Sequence, residues 1–286
     1  MEVVLAVDIG GTKLAAGLVD ERGDVVASAR TPTPTTDDPE SLFAVLMAVV
    51  ESVGGNGEVV ACGIGCGGPM AAGGEEVSPL NIPGWRGFPM RSRVADATGL
   101  PTFVDNDAKA LALAEGWRGA AAGESDFIGI TVSTGVGGGI VLGGRLLEGA
   151  GGNAGHIGHV VVEPDGRPCR CGGRGCLEAE ASGPAIEARI GRPPAEAGPE
   201  VVERTGRLVG RAVASVANLL DLRLAVVGGS VALGFGAPFF AAARSEVDTR
   251  TGLDFTRGTR VVPAALGAEG PLVGAGAVGW RGLGRR

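Results

Sequence analysis

Residues 3–20, V-V-L-A-V-D-I-G-G-T-K-L-A-A-G-L-V-D, consist of an apolar run, a short glycine-containing segment and a second apolar run. This order predicts a β-hairpin. Glycines in the turn allow backbone N–H groups to converge on an anion, and a hydroxyl and an ammonium group follow them. An Asp at the end of the first strand could hold a divalent cation through water. The stretch therefore predicts a phosphate-binding turn, although an ordinary hairpin fits the same residues: Asp8, Gly10, Gly11, Thr12 and Lys13.

A second stretch repeats this order about half a chain later. At residues 128–142, I-G-I-T-V leads into S-T-G-V-G-G-G and then into I-V-L, with hydroxyls at Ser133 and Thr134. Two such hairpins suggest two similar lobes, each with a phosphate-binding turn. Neither hairpin has the glycine spacing of a P-loop or of a dinucleotide-binding motif, so we exclude both of these motifs.

A third glycine cluster, L-A-V-V-G-G-S, occupies residues 224–230 and follows a helix predicted over about 201–220. Its backbone carries no side chains at Gly228 and Gly229. A flat adenine ring could therefore lie close to it.

The composition bounds the possible partners. The 286 residues include 25 Lys and Arg against 32 Asp and Glu, a net charge of -7, and no basic run. Such a surface repels a phosphodiester backbone, so we expect no nucleic-acid partner. No run of about 18 apolar residues predicts a membrane helix, and the start M-E-V-V-L-A-V-D does not resemble a signal peptide. We expect a cytoplasmic protein without a membrane partner.

Both histidines and three of the five cysteines lie in residues 156–178, H-I-G-H-V-V-V-E-P-D-G-R-P-C-R-C-G-G-R-G-C-L-E. One imidazole and three thiolates form the ligand set of a closed tetrahedral zinc site, which indicates structural zinc because a catalytic zinc keeps one position open. The predicted ligands are His159, Cys169, Cys171 and Cys176. A disulfide between Cys169 and Cys176, or unpaired thiols, are the alternatives. The remaining cysteines, Cys62 and Cys66, are expected to be small buried residues.

Two further segments offer candidate substrate contacts. Residues 59–69, V-V-A-C-G-I-G-C-G-G-P, end in Gly68, where a substrate could approach the backbone. In P-T-F-V-D-N-D-A at 101–108, a short strand meets three polar residues and then an alanine-rich helix. One of them would cap the helix, and a carboxylate at this junction could also take a proton from a bound hydroxyl. Both carboxylates of this junction, Asp105 and Asp107, are candidates for such a base.

Together, D-I-G-G-T-K at 8–13, the N-D pair at 106–107, Gly158-His159 and C-x-C-G-x-x-G-C-x-E at 169–178 resemble the ROK family of repressors, open reading frames and kinases. The resemblance covers nearly the whole chain. It implies an α/β, actin-like (hexokinase-like and ribonuclease H-like) ATPase fold with two lobes around a cleft that holds ATP and a sugar. We assign 1–115 and a C-terminal helix at 267–286 to the small lobe, and 116–266 to the large lobe.

The resemblance also implies residue roles and partners. Asp107 would be the general base on a sugar hydroxyl, with Asp105 as the substitute. Asn106, His159 and Glu178 would hold other hydroxyls, with His159 binding zinc through its second ring nitrogen. The cofactors would be structural zinc and Mg²⁺ with ATP, and the assembly a homodimer or homotetramer. The residues expected to surround the phosphates are Asp8, Gly10, Gly11, Thr12, Lys13, Thr134 and Gly135.

One position departs from the pattern of family glucokinases. They usually carry Glu-x-Gly-His, whereas this chain has His156-Ile-Gly-His159. A carboxylate accepts bonds from two hydroxyls, but a neutral imidazole accepts one and donates one. A histidine at this position is similar to the pattern of bacterial N-acetylmannosamine kinases. N-acetylmannosamine and glucose are therefore both candidate substrates. Alternatively, His156 only packs or donates to a backbone carbonyl.

Three functions compete at this stage. The first is an ATP-dependent kinase that phosphorylates the 6-hydroxyl of a hexose or N-acylhexosamine. The second is a sugar-responsive repressor of the same family, which would need an N-terminal DNA-binding domain before the first phosphate turn, and that turn begins here at Asp8. The third is a catalytically silent sugar sensor. The presence of Asp107, Asp8 and Lys13 favours the kinase.

Overall fold

A computed structural model of the chain describes residues 1–285. The chain forms two compact units. The first contains residues 1–118, the segment Glu148–Ala154 and the C-terminal residues from Leu266 on, and the second contains Gly119–Leu147 and Gly155–Ala265. The predicted small lobe had the boundaries 1–115 and 267–286. The prediction placed residues 148–154 in the large lobe, whereas the segment Glu148–Ala154 belongs to the first unit.

The two units contain ten strands and eight α-helices within the described residues. The strands are β1 (Glu2–Ile9), β2 (Lys13–Asp20), β3 (Val25–Pro32), β4 (Glu58–Cys66), β5 (Thr102–Asn106), β6 (Phe127–Val132), β7 (Val136–Leu142), β8 (Arg145–Leu146), β9 (Leu224–Gly228) and β10 (Arg260–Pro263). The helices are α1 (Pro39–Glu51), α2 (Met90–Thr98), α3 (Asp107–Arg118), α4 (Leu177–Ala181), α5 (Gly183–Ile190), α6 (Pro199–Leu220), α7 (Ser230–Arg250) and α8 (Gly270–Gly282).

The two units contain sheets of the same connectivity. In the first unit the order is β3-β2-β1-β4-β5, and in the second it is β8-β7-β6-β9-β10. In each sheet the hairpin strands pair antiparallel and the later strands join parallel. The two glycine hairpins recognised in the sequence are β1–β2 and β6–β7, and each contributes the central strand of its sheet.

The first sheet is covered on both faces, so β1 is apolar throughout rather than alternating. Its odd-numbered residues from Val3 to Ile9 pack in one cluster with Leu42 and Leu46 of α1, while Ala6 packs on the opposite face with α8. Helix α8 approaches the sheet closely. A Cβ at Gly63 would lie 2.0 Å from the carbonyl oxygen of Ala275, so only glycine fits there.

The second unit buries its sheet against two long helices. Helices α6 and α7 pack side by side, and their apolar residues join those of β6 and β9 in one core. Within residues 1–285, no helix is both long and apolar enough to cross a membrane.

Candidate active site and metal centre

The β1–β2 turn is tightly held. The N–H of Gly10 donates to the carbonyl of Lys13 at 3.0 Å, and Thr33 donates its hydroxyl to the carbonyl of Gly10 at 2.6 Å. A Cβ at Gly11 would lie 2.7 Å from the Cβ of Asn81. Glycine is therefore required here because of a close neighbour. Thr33, just after β3, stabilises the turn, and no motif in the sequence indicated its role.

Asp8 lies near the end of β1 and is buried, with 8% of its surface exposed. Burial is the main reason that the pKa of its carboxyl is raised to about 6. The ammonium group of Lys13, 3.9 Å away, opposes the shift, and the charge of Asp107 adds to it. Asp8 and Asp107 are therefore close enough to affect each other's ionisation.

The register of the first sheet explains why these two carboxylates come together. Ile9 of β1 pairs with Cys66 of β4, which pairs with Asn106 of β5. The carboxyl ends of three parallel strands thus meet at one edge of the sheet, with Asp8 and Asp107 next to this row. Ligand sites in α/β sheets commonly form at such an edge.

Asn106 and Asp107 occupy the junction of β5 and α3. The N–H of Ala108 donates to Oδ1 of Asn106 at 3.0 Å and to Oδ1 of Asp107 at 2.8 Å, so both side chains contribute to capping α3. Asp107 is exposed, yet the surrounding protein removes water from its carboxyl and thereby raises the pKa of that group. The hydrogen bond from the Ala108 N–H lowers the pKa and so opposes this shift. A solvent-accessible carboxylate with a raised pKa suits a general base.

Asp105, the substitute base, has a different environment. It is buried, and its Oδ1 accepts the N–H of Asn106 at 2.8 Å. Lys109 and Arg281 lie 3.6 and 3.7 Å from its carboxylate oxygens. These contacts engage both carboxylate oxygens of Asp105.

A buried lysine accounts for the unexpected membership of Glu148–Ala154 in the first unit. The Lys109 side chain, 1% exposed, donates to Oε2 of Glu148 and to the carbonyl of Gly152, both at 2.7 Å. Arg281 bonds the other oxygen of Glu148 at 2.5 Å. No sequence motif predicted this network, because it joins residues of three distant segments.

Gly68 lies just after β4, near the carboxyl end of that strand, and is half-buried. Its peptide bond to Pro69 is cis.

In the second unit, the two remaining glycine clusters are adjacent. The N–H of Ser133 donates to the carbonyl of Gly135 at 2.9 Å and closes the β6–β7 turn that contains Thr134. The hydroxyls of Ser133 and Ser230 are 2.9 Å apart, which joins this turn to the start of α7. Gly228 ends β9. Gly229 has φ +94°, and a Cβ there would lie 2.3 Å from the carbonyl oxygen of Val132.

Glu178, in the first turn of α4, contacts the same turn. Its Oε2 accepts the N–H of Val136 at 2.9 Å, and a Cβ at Gly135 would lie 3.0 Å from this oxygen. Gly135 therefore leaves space for the carboxylate.

The four predicted metal ligands come together within the second unit. Their ligand atoms all lie within 4.8 Å of one another. Cys169 Sγ lies 3.7 Å from Nδ1 of His159, and Cys171 Sγ lies 3.7 Å from Cys176 Sγ. Two sulfurs bound to one tetrahedral zinc at about 2.3 Å would be about 3.8 Å apart. The cluster therefore fits a zinc ion, whereas a disulfide needs about 2.05 Å, and all five cysteines are free.

The loop that carries these ligands depends on one glycine. Gly175 has φ +69°, and a Cβ there would lie 1.6 Å from the carbonyl oxygen of Glu163.

Cys62 and Cys66 are fully buried in the first unit, as predicted, and burial raises the pKa of the Cys62 thiol to about 12.

The two histidines lie at either end of a 3-10 turn, Ile157–His159. Their rings are stacked, with centroids 6.0 Å apart and planes inclined by 17°. His156 is exposed and His159 is partly buried. Because Nδ1 of His159 faces Cys169, its Nε2 is the atom that would be left for another partner.

The chain is similar to several known proteins. The ROK family profile matches residues 4–279. An N-acetylmannosamine kinase from Escherichia fergusonii is 40% identical over 251 residues, 81% of this chain and 84% of that protein. A ROK family glucokinase from Streptomyces griseus, solved with glucose and AMPPNP, superposes with a TM-score of 0.84 at 32% identity, covering 98% of this chain and 99% of the other.

A ROK family transcriptional regulator, a homologue of the E. coli MLC protein, superposes with a TM-score of 0.82 at 25% identity, covering 97% of this chain and 77% of the other. The predicted α/β, actin-like fold class is confirmed by these superpositions and by the two sheets.

Proposed function

The chain belongs to the ROK family, and we propose that it is an ATP-dependent sugar kinase. It transfers the γ-phosphoryl group of ATP to the 6-hydroxyl of a hexose or N-acylhexosamine. The observation that carries this proposal is the pair of interacting carboxylates, Asp8 and Asp107, beside a glycine turn at the carboxyl ends of parallel strands. Phosphoryl transfer depends mainly on positioning and on charge neutralisation, and these residues could supply both.

Asp107 is the proposed general base. Its carboxylate accepts the proton of the sugar 6-hydroxyl as the oxygen attacks the γ-phosphorus and the bond to the β-phosphate oxygen breaks. Because the pKa of this carboxyl is raised, it lies closer to neutral pH, and a general base works best when its pKa is near the working pH. Asn106 holds a neighbouring hydroxyl, and its bond to the Ala108 N–H keeps its side chain in place.

The phosphates are bound by backbone N–H groups and by Lys13. The proposed contacts are the β1–β2 turn, Thr134 and Gly135 of the β6–β7 turn, and Gly228 and Gly229 beside the adenosine. Asp8 would hold Mg²⁺ through water, and Mg²⁺ supplies charge neutralisation for the phosphates when it is bound with ATP. The deprotonated form of Asp8 is required for this role.

N-acetylmannosamine is the favoured substrate and glucose the second. A relative named for the first sugar is 40% identical, while the glucokinase with a similar fold is 32% identical. His156 supports this order, because its imidazole can donate one hydrogen bond to an acyl carbonyl as well as accept one. The other proposed sugar contacts are His159, Glu178 and the backbone at Gly68.

Zinc is the proposed occupant of the cysteine cluster, with a structural role. The four side chains His159, Cys169, Cys171 and Cys176 would complete its coordination and leave no position for substrate. By holding Nδ1 of His159, the ion would leave Nε2 for a sugar hydroxyl.

A catalytically silent sugar sensor is the alternative, since a transcriptional regulator of the family shares the fold. A coupled assay of ADP release distinguishes the two. We expect ADP with N-acetylmannosamine or glucose, tested beside mannose, N-acetylglucosamine and allose. Release of ADP with none of these sugars would favour the sensor.

A further inference from the structure

The short helix α4 contains two carboxylates with different surroundings. Glu178 is partly exposed and bonds the β6–β7 turn, whereas Glu180 is 2% exposed. Two residues along a helix are separated by about 200°, so the two side chains leave α4 on nearly opposite sides. The proposed function uses Glu178 and leaves Glu180 without a role.

Glu180 is surrounded by donors from three segments. Its Oε1 accepts the N–H of Arg167 at 2.7 Å, and its Oε2 lies 2.7 Å from Arg204 of α6 and 3.2 Å from Arg189 of α5. The space around the carboxylate is tight, because a Cβ at Gly166 would lie 2.6 Å from Oε1. A charge-assisted network of this kind favours one side-chain position.

The rotation of α4 about its axis depends on such contacts. A helix of five residues is too short to be stable alone, so tertiary contacts determine its position. Backbone bonds hold its two ends: the N–H of Leu177 donates to Val160, and the N–H of Gly183, just beyond it, donates to Ser133. Between these ends, Glu180 connects the buried side of the helix by hydrogen bonds to α5, α6 and the loop from His159 to Cys176 that carries the candidate metal ligands.

We propose that Glu180 is a positioning residue for the sugar site, which holds α4 in one rotation and thereby directs the Glu178 carboxylate. This inference rests on the proposed role of Glu178 as a sugar contact. It assigns to the Glu180 network a function in substrate affinity, beyond its contribution to stability.

A double-mutant cycle tests the proposal, with N-acetylmannosamine as the probe sugar, or glucose if only glucose is phosphorylated. In otherwise unchanged protein, Glu180→Gln keeps an acceptor for Arg167 but loses the charge, and we expect the sugar KM to rise about tenfold with a smaller change in kcat. In a Glu178→Gln background the same substitution should change the sugar KM by less than about twofold, because the group it directs is already altered.

Glu246→Gln is the matched control. Glu246 of α7 likewise bonds two arginines, Arg211 and Arg250, both at 2.7 Å. We expect this variant to leave the sugar KM within about twofold of the original value. The zinc content of each variant is measured to check that the loop from His159 to Cys176 keeps its structure. If Glu180→Gln does not yield folded protein, Arg204→Lys is carried through the same cycle.

An unchanged sugar KM in Glu180→Gln would overturn the proposal. An equal rise in both backgrounds, or an equal rise in Glu246→Gln, would also overturn it, since the effect would then not act through Glu178. These outcomes differ from failure of the proposed function, in which the unchanged protein releases no ADP with any sugar.

Discussion

Among single residues, Asp107 and Asp8 have the most specific consequences. Both carboxylates have raised pKa values, but Asp107 reaches solvent while Asp8 is buried beside Lys13. The accessible group suits proton transfer, whereas the buried group would bind a cation once it is deprotonated. Their substitutions should therefore separate the two functions.

Asp107→Asn should lower kcat by at least about a hundredfold, because an amide cannot accept the hydroxyl proton. The amide oxygen can still accept the N–H of Ala108, so the fold and the zinc content should be retained. Steady-state kinetics with the best sugar, circular dichroism and metal analysis measure these properties. Near-normal turnover would remove Asp107 from the role of base.

Asp8→Asn should raise the free energy of unfolding at pH 8. The pKa of Asp8 is about 6 in the folded protein against 3.8 ordinarily, so folding favours the protonated form. The contribution of Asp8 to stability is then greatest below pH 4 and is lost as pH rises through 6, by at most about 3 kcal/mol for this shift. The neutral amide does not incur this loss.

Urea unfolding at pH 4 and pH 8 measures the effect of Asp8→Asn. The variant should be about 1–3 kcal/mol more stable than the original at pH 8 and similar at pH 4. It should also bind Mg²⁺ and ATP more weakly. Equal stability of the two proteins at both pH values would show that Asp8 is not held with a raised pKa.

His156→Glu should shift the sugar preference toward glucose. A carboxylate accepts bonds from two hydroxyls and no longer donates to an acyl group, so the ratio of kcat/KM for glucose to that for N-acetylmannosamine should rise at least about tenfold. An unchanged ratio would indicate that His156 only packs or donates to a backbone carbonyl.

At the scale of elements, the loop from His159 to Cys176 is the segment that we propose to bind zinc. It contains few apolar residues, and its ligands His159, Cys169, Cys171 and Cys176 are held close together by adjacent backbone bonds and Gly175. Metal binding supplies folding free energy to such a loop.

The purified protein should contain about one equivalent of zinc per chain, and Cys176→Ser should lose most of it. The same variant should raise the sugar KM, because His159 and Glu178 lie at the two ends of the loop. Cys62→Ser is the control, since Cys62 is a buried cysteine of the first unit, and it should retain the metal. Zinc analysis with steady-state kinetics gives the answer, and a metal-free active enzyme would contradict the assignment.

In the molecule as a whole, the chain leaves the second unit after Leu147 and returns at Gly155. The intervening segment is attached to the first unit through Lys109 and Arg281. Burying an ammonium group is costly unless it is paired, so the arrangement depends on Glu148 and Asp105.

Lys109→Met should lower the free energy of unfolding by about 2–3 kcal/mol, less than for a fully buried pair because Arg281 remains beside the carboxylates. The exposed pair of Arg91 and Glu75 offers a control, and Arg91→Met should cost less than about 1 kcal/mol. Urea unfolding compares the two. Equal small effects would mean that Lys109 does not anchor the segment.

The residue sequence by itself determined the hairpins, the cluster of candidate metal ligands and the two candidate carboxylates, Asp105 and Asp107. These features depend on local chemistry: apolar runs of strand length, glycines at turns, and sulfur and imidazole ligands at compact spacing. For the same reason α6 lies close to the predicted 201–220. The ROK resemblance supplied the fold class.

Only the tertiary structure decided how distant segments meet. The pairing of Ile9, Cys66 and Asn106, the role of Thr33, the burial of Lys109 against Glu148, and the network of Glu180 join residues far apart in the chain. It also placed Asp105 among cations, although its neighbours in sequence resemble those of Asp107. Ionisation and hydrogen bonding depend on what surrounds a group in space, and local sequence patterns do not contain that information.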